Sequence, residues 1–160
     1  MAGTSVLLVL LAVPSPAPAK EPITGRASVI DGDTIEIHGQ RIRFFGVDAP
    51  ETRQLCQDEN GDSYRCGQRA ALALSDFIGQ ATVRCAERDR DRWRRIVAVC
   101  RAGGEDLSEW MAAQGWAVAF TRYSRDYEGQ EAAAKEARKG IWRGAFEVPW
   151  QWRRGSRNVD

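Results

Sequence analysis

From Thr24 to Val47 apolar and polar residues alternate with a period of two, the mark of strands with one buried face. A strand runs from Thr24 into the turn signal Asp31-Gly32, and Ile35 and Ile37 then flank Glu36 on a second strand. His38-Gly39-Gln40 turns the chain. The return strand, Arg41 to Val47, sets Ile42 and Phe44 on one face and Arg41 and Arg43 on the other, until Pro50 stops the pairing. A second hairpin is predicted from Thr82–Arg88 and Arg95–Arg101, around a polar, arginine-rich turn. Helical spacing appears at Gly67–Ile78, where Ala70, Leu74, Phe77 and Ile78 form one stripe. Asp106-x-x-Glu109 reads as a capping box opening a helix through Leu107, Trp110 and Met111, closed by Gly115. Trp116–Phe120 is a short strand-like run, and an Ala-rich helix follows from Asp126 to Lys139, stopped at Gly140. Five short strands with about three interspersed α-helices make an α+β protein, a small barrel carrying helices.

The chain opens with an apolar run, Val6 to Val13, followed by Ala17-Pro18-Ala19, the small-x-small pattern of a signal-peptidase site. The run is too short for a membrane span, which needs about 20 residues. Residues 1–19 are therefore expected to be a signal peptide, and residues 20–160 a single exported domain, periplasmic or extracellular, with no membrane attachment. The net charge of +1 excludes a globally basic nucleic-acid binder, so any attraction for phosphate must come from local placement of arginine.

Cys56, Cys66, Cys85 and Cys100 fit an oxidising compartment. Cys85 and Cys100 are equidistant from the centre of the second hairpin's turn, which makes them natural cross-strand partners and leaves Cys56 to pair with Cys66. Zinc is disfavoured, since there is no C-x-x-C and His38 is the sole histidine. The stretch from Thr52 to Arg65 reads as a polar loop tied by a disulfide. A helix-loop-helix calcium site fails there, because Ser63 and Arg69 stand where glycine and glutamate are required.

Two acidic corners, Asp31-Gly32-Asp33 and Asp48-Ala49-Pro50-Glu51, are joined by the hairpin that carries Arg43. Antiparallel strands lie about 4.8 Å apart, so folding can bring the corners together, and carboxylates that close repel unless a cation lies between them. Asp33 and Asp48 are candidate ligands of a hard, oxygen-preferring metal. Arg43 and Arg95 are candidate phosphate clamps, because the guanidinium fork pairs two phosphate oxygens and stays charged. Glu51 is the candidate base toward an attacking water. Chemistry through histidine is nearly excluded, and no Gly-rich phosphate loop is present.

V-I-D-G-D-T, R-F-F-G-V-D-A-P-E-T, D-R-W-R-R and G-I-W follow one another between Ala27 and Trp142. In order and spacing they resemble the staphylococcal nuclease (thermonuclease) family. The resemblance implies a five-stranded OB-fold (Greek-key) barrel with three helices and calcium-dependent cleavage of DNA and RNA with little sequence specificity, leaving 3′-phosphates. It places the calcium on Asp33, Asp48 and the main-chain carbonyl of Ala49. Arg43 and Arg95 become the phosphate-binding arginines, and Glu51 the group that orients or deprotonates water. Asp31 supports the metal site, and Arg92, Trp93 and Tyr123 are substrate contacts in what is expected to be a monomer. Arg94 stands where a glycine is common, which leaves Arg94 and Arg95 to compete for one role; strand parity favours Arg95, beside Val97 and Val99. Phe120 lies near a tyrosine position of the family, for which Tyr123 is the candidate substitute. The alternative reading is a non-catalytic OB-fold domain that binds nucleic acid; it sits badly with the complete set of acids and arginines.

Overall fold

The computed structural model describes residues 20–156. The predicted signal peptide lies outside these residues. Strands β1 (Ile23–Gly25), β2 (Ser28–Asp31), β3 (Thr34–Ile37) and β4 (Gln40–Phe44) open the chain, followed by the short β5 (Val47–Asp48). A two-residue ladder joins β6 (Cys56–Gln57) to β7 (Ser63–Tyr64), and helix α1 (Cys66–Ile78) leads to the long hairpin β8 (Val83–Arg90) and β9 (Ile96–Ala102). Then come β10 (Glu105–Asp106), α2 (Leu107–Ala113), β11 (Val118–Ala119), α3 (Glu128–Glu136), a 3-10 turn (Gly140–Arg143) and α4 (Pro149–Ser156).

The main sheet has the order β1-β8-β9-β4-β3-β2, with β10 added to β9. β4 and β9 run parallel within an otherwise antiparallel sheet. The meander β2-β3-β4 together with β9 and β8 gives the five strands expected of the OB-fold, and β1 and β10 extend its edges. The period-two reading holds in detail: Ile35, Ile37, Ile42 and Phe44 are buried beneath Leu74 of α1 and Leu107 and Met111 of α2. Each such side chain, once out of water, contributes about 1.5–3 kcal/mol. A smaller cluster gathers Cys56, Cys66, Val118 and Ile141 under Trp116, Trp142, Phe146 and Trp150. Both expected disulfides are present, Cys56–Cys66 and Cys85–Cys100, the latter between directly opposed residues of β8 and β9.

Several boundaries differ from the sequence reading. The strand expected from Thr24 to Asp31 is broken at Arg26-Ala27, because its halves serve different neighbours: β1 pairs with β8 and β2 with β3. The polar stretch from Thr52 to Arg65 is not all loop, since β6 and β7 pair across it. Asp106 caps α2 by accepting from the amides of Ser108 and Glu109. Glu109 does not turn back toward it but accepts a hydrogen bond from Gln130 at 3.1 Å, tying α2 to α3. Helix α2 ends at Ala113 with Gln114 as its cap, and Gly115 closes it as expected, at a φ of 72° with its amide donating to the Ala112 carbonyl at 3.0 Å. The Ala-rich helix is shorter than expected, and α4 was not expected at all.

Tyr127 is buried and donates its hydroxyl proton to Asp106 at 3.2 Å. Burial, with the Asp106 charge added, pushes its phenol up to about 12. The unfolded chain ionises first, near pH 10. Stability should therefore hold below pH 10 and fall between pH 10 and 12. In chemical denaturation across that window, Tyr127→Phe should show a shallower decline than the parent protein; an equal slope would refute the assignment.

Candidate active site

One guanidinium holds the two acidic corners together. Pairing of Thr34 with Arg43, closed by the hydrogen bond from the Phe44 amide to the Asp33 carbonyl at 2.8 Å, sets Asp33 beside Arg43. Arg43 Nη1 donates to Asp33 Oδ1 at 3.1 Å, and Nη2 lies 3.0 Å from Asp33 Oδ2. The same Nη2 donates to Asp48 Oδ1 at 2.6 Å. Asp48 arrives on β5, registered against Val118 of β11. Asp33 is completed by the Ala49 amide at 3.0 Å and the Thr34 hydroxyl at 2.9 Å. The Asp33 amide in turn donates to Asp31 Oδ1 at 3.0 Å, so Asp31 shapes the turn that presents Asp33.

Asp33 and Asp48 are both buried. Burial alone would raise the Asp33 carboxyl, but the Arg43 charge and the donors from Ala49 and Thr34 outweigh it and hold the group below its ordinary value. Burial and the neighbouring Asp33 charge push Asp31 up to about 7.

Arg95 immediately precedes β9, in a turn that Asp91 organises. Asp91 Oδ1 accepts the amides of Trp93 and Arg95 at 2.9 Å each, and its Oδ2 accepts Arg95 Nε at 2.6 Å. Arg94 has a φ of 65°, a left-handed conformation that glycine adopts without strain. That accounts for a glycine being common at this position in the family it resembles. Arg95, not Arg94, lines a cleft of about 710 Å³ shared with Arg43, Glu51 and Asp31.

Arg92, Trp93 and Tyr123 line the same cleft. The Arg92 guanidinium lies 4.0 Å from the Trp93 ring centre. Phe120 is flanked by Tyr123 at 5.1 Å and Trp150 at 5.4 Å, so both aromatics of the uncertain tyrosine position border the cleft. Seven arginines line it (Arg43, Arg90, Arg92, Arg95, Arg122, Arg153 and Arg154) against four acids (Asp31, Glu51, Asp89 and Asp91), an electropositive surface on a chain of net charge +1. His38 sits in its hairpin turn near the Thr24 carbonyl, away from this cleft.

Arg153, which the sequence did not single out, enters from α4. Nη1 donates to Asp48 Oδ1 at 3.0 Å and Glu51 Oε1 at 2.6 Å, and Nη2 donates to Asp48 Oδ2 at 2.8 Å. Asp48 and Arg153 are 105 residues apart, beyond any local spacing rule; an unclaimed arginine beside Trp150 was the only available signal. Glu51 is placed by its backbone as well. Its amide donates to Gln54 Oε1 at 3.2 Å and its carbonyl accepts the Gln54 amide at 2.7 Å. Gly67 packs directly on it: a Cβ at Gly67 would lie 1.8 Å from the Glu51 carbonyl oxygen.

Among the described residues no group of three or more acidic, histidine or cysteine side chains is gathered as a metal cage. The donor set nonetheless fits a hard cation. Asp33 and Asp48 offer only oxygen, are buried, and already share one positive charge, that of Arg43. Ala49 is in contact through its amide, which donates to Asp33.

A sequence model described as "Staphylococcal nuclease homologue" matches residues 41–144. The chain is 44% identical over 140 residues to the succinoglycan biosynthesis protein ExoI of Rhizobium meliloti (strain 1021), covering 86% of this chain and 73% of that protein. It is 30% identical over 149 residues to the micrococcal nuclease of Shigella flexneri, covering 82% and 80%. It is 31% identical over 160 residues to an endonuclease of Haemophilus influenzae (strain ATCC 51907 / DSM 11121 / KW20 / Rd), covering 94% and 83%. Barrel topology, matched stretch and relatives agree: the chain belongs to the staphylococcal nuclease family and is a phosphodiester hydrolase acting on nucleic acid.

Proposed function

We propose that this nuclease is an exported, monomeric, calcium-dependent enzyme that cleaves DNA and RNA with little sequence specificity and leaves 3′-phosphates. The observation that carries the reading is that Arg43, on the cleft it shares with Glu51 and Arg95, bridges the buried carboxylates of Asp33 and Asp48. Export is supported by the two disulfides. Among the described residues no helix is long and apolar enough to cross a membrane.

Asp33 and Asp48 would hold the ion, with the Ala49 carbonyl as a further ligand. When bound there, calcium would supply positive charge to offset the phosphate oxygens and to polarise water. Arg43 and Arg95, both on the cleft, would bind the phosphate from two sides. Both then stabilise the charge that grows as the bond to the leaving oxygen breaks. Glu51 orients the attacking water or takes its proton. Trp93 and Tyr123 offer exposed rings on which bases stack whatever their identity, consistent with weak sequence preference. Asp31 supports the turn that carries Asp33.

The reading is tested with purified protein on plasmid DNA and on RNA, in calcium and in excess chelator. Cleavage is expected only with calcium, and Glu51→Gln should reduce the rate about 10²–10⁴-fold, the usual contribution of a positioned acid–base group. Full activity in chelator, or an unimpaired Glu51→Gln protein, would overturn it.

A further inference from the structure

We infer that Arg153, on the helix after the barrel, is the positioning residue for Glu51 and the side chain that yields Asp48 to the catalytic cation; this rests on the calcium-dependent reading above. Both Asp48 oxygens are already engaged, Oδ1 by Arg43 and Arg153 and Oδ2 by Arg153. A cation that takes Asp48 meets two guanidinium charges on that carboxylate, and repulsion favours displacing one of them. Arg43 sits on the central strand β4, is gripped by Asp33 as well, and has a side chain 17% exposed. Arg153 sits on a peripheral helix, and its side chain is 31% exposed. Arg153 is the one that gives way.

It does not thereby let go of Glu51. Nη1 bridges Asp48 and Glu51, so surrendering Asp48 leaves the 2.6 Å contact to Glu51 intact. The Glu51 backbone is fixed by Gln54, but its carboxylate is one-third exposed and would sample several rotamers without a charged partner. Arg153 is itself held because α4 docks through Trp150, which lies against Phe120 and covers the smaller core cluster. The helix therefore supplies a third arginine that stands in for the cation in its absence and sets the water-handling carboxylate in its presence.

Two readouts are predicted to move in opposite directions. Calcium binding is measured by calorimetry, and kcat and KM at saturating calcium, for the parent protein, Arg153→Ala, Arg153→Lys and the control Gln151→Ala on the same helix. Arg153→Ala should bind calcium about tenfold more tightly, because a positive charge has left its neighbourhood. Its kcat should fall about tenfold with KM changed less, because Glu51 has lost its orientation. Arg153→Lys should be intermediate in both, keeping the charge without the fork. Gln151→Ala should match the parent. Unchanged or weaker calcium binding in Arg153→Ala, or an undiminished kcat, overturns the inference; loss of binding and activity together shows α4 to be merely structural and overturns it too. A parent protein that binds calcium but cuts no nucleic acid fails the functional reading instead, while the calorimetry still decides the competition.

Discussion

Arg43→Ala should lose at least about 10²–10³-fold in turnover, the scale on which one charge-stabilising donor acts at a reacting centre. The structure adds a second expected result. Arg43 compensates two buried carboxylates, so its removal leaves Asp33 and Asp48 facing each other without their shared cation. Breaking a buried ion pair from one side costs about 3–5 kcal/mol. In chelator the variant should unfold at markedly lower denaturant than the parent, and calcium should restore much of the difference by taking the position between the acids. Arg43→Lys should recover stability better than turnover, since lysine returns the charge but not the planar fork. Unfolding curves with and without calcium, beside initial rates, check both halves. A folded Arg43→Ala protein with full activity would remove Arg43 from the mechanism.

Gly67→Ala should be the most damaging change that touches no charged group. A methyl there would lie 1.8 Å from the Glu51 carbonyl oxygen and 3.0 Å from that of Pro50, both backbone atoms that no rotamer change can move. The loop must shift, at a cost of about 1–3 kcal/mol or more for overpacking. Glu51 shifts with it, and a displacement near 1 Å at a reacting group can cost about 10²-fold in rate. The expected signature is a large fall in kcat at calcium saturation with little change in KM. The Cys56–Cys66 bridge lies immediately before this contact, so the loop has little room to absorb the methyl elsewhere.

The two hairpins were legible because a period of two is a local signal: Ile35, Ile37, Ile42 and Phe44 could be buried together in only one register. The same parity placed Arg95 on the side of Val97, and both line the cleft. The acidic corners were legible as a pair because one hairpin joins them. What the sequence hid was tertiary. Pro149-Trp150-Gln151-Trp152-Arg153-Arg154 has no helical stripe of aliphatic residues, and α4 is held by Trp150 docking on Phe120 and its neighbours rather than by propensity. Glu109 promised a reciprocal cap, but Gln130 of α3 captured its carboxylate. Arg43 was readable as a candidate phosphate clamp, but not as the bolt between Asp33 and Asp48. Charge compensation inside a barrel becomes visible only when both partners have coordinates.

The stretch matched by the family ends at residue 144, and the helix that delivers Arg153 begins beyond it. A recombinant version that stopped at residue 144 would retain every candidate site acid and arginine named from the primary structure and still be a different enzyme. A bulky fusion at the carboxyl end would act on the same element. Rates compared between relatives are therefore interpretable only when the point at which each polypeptide stops is known.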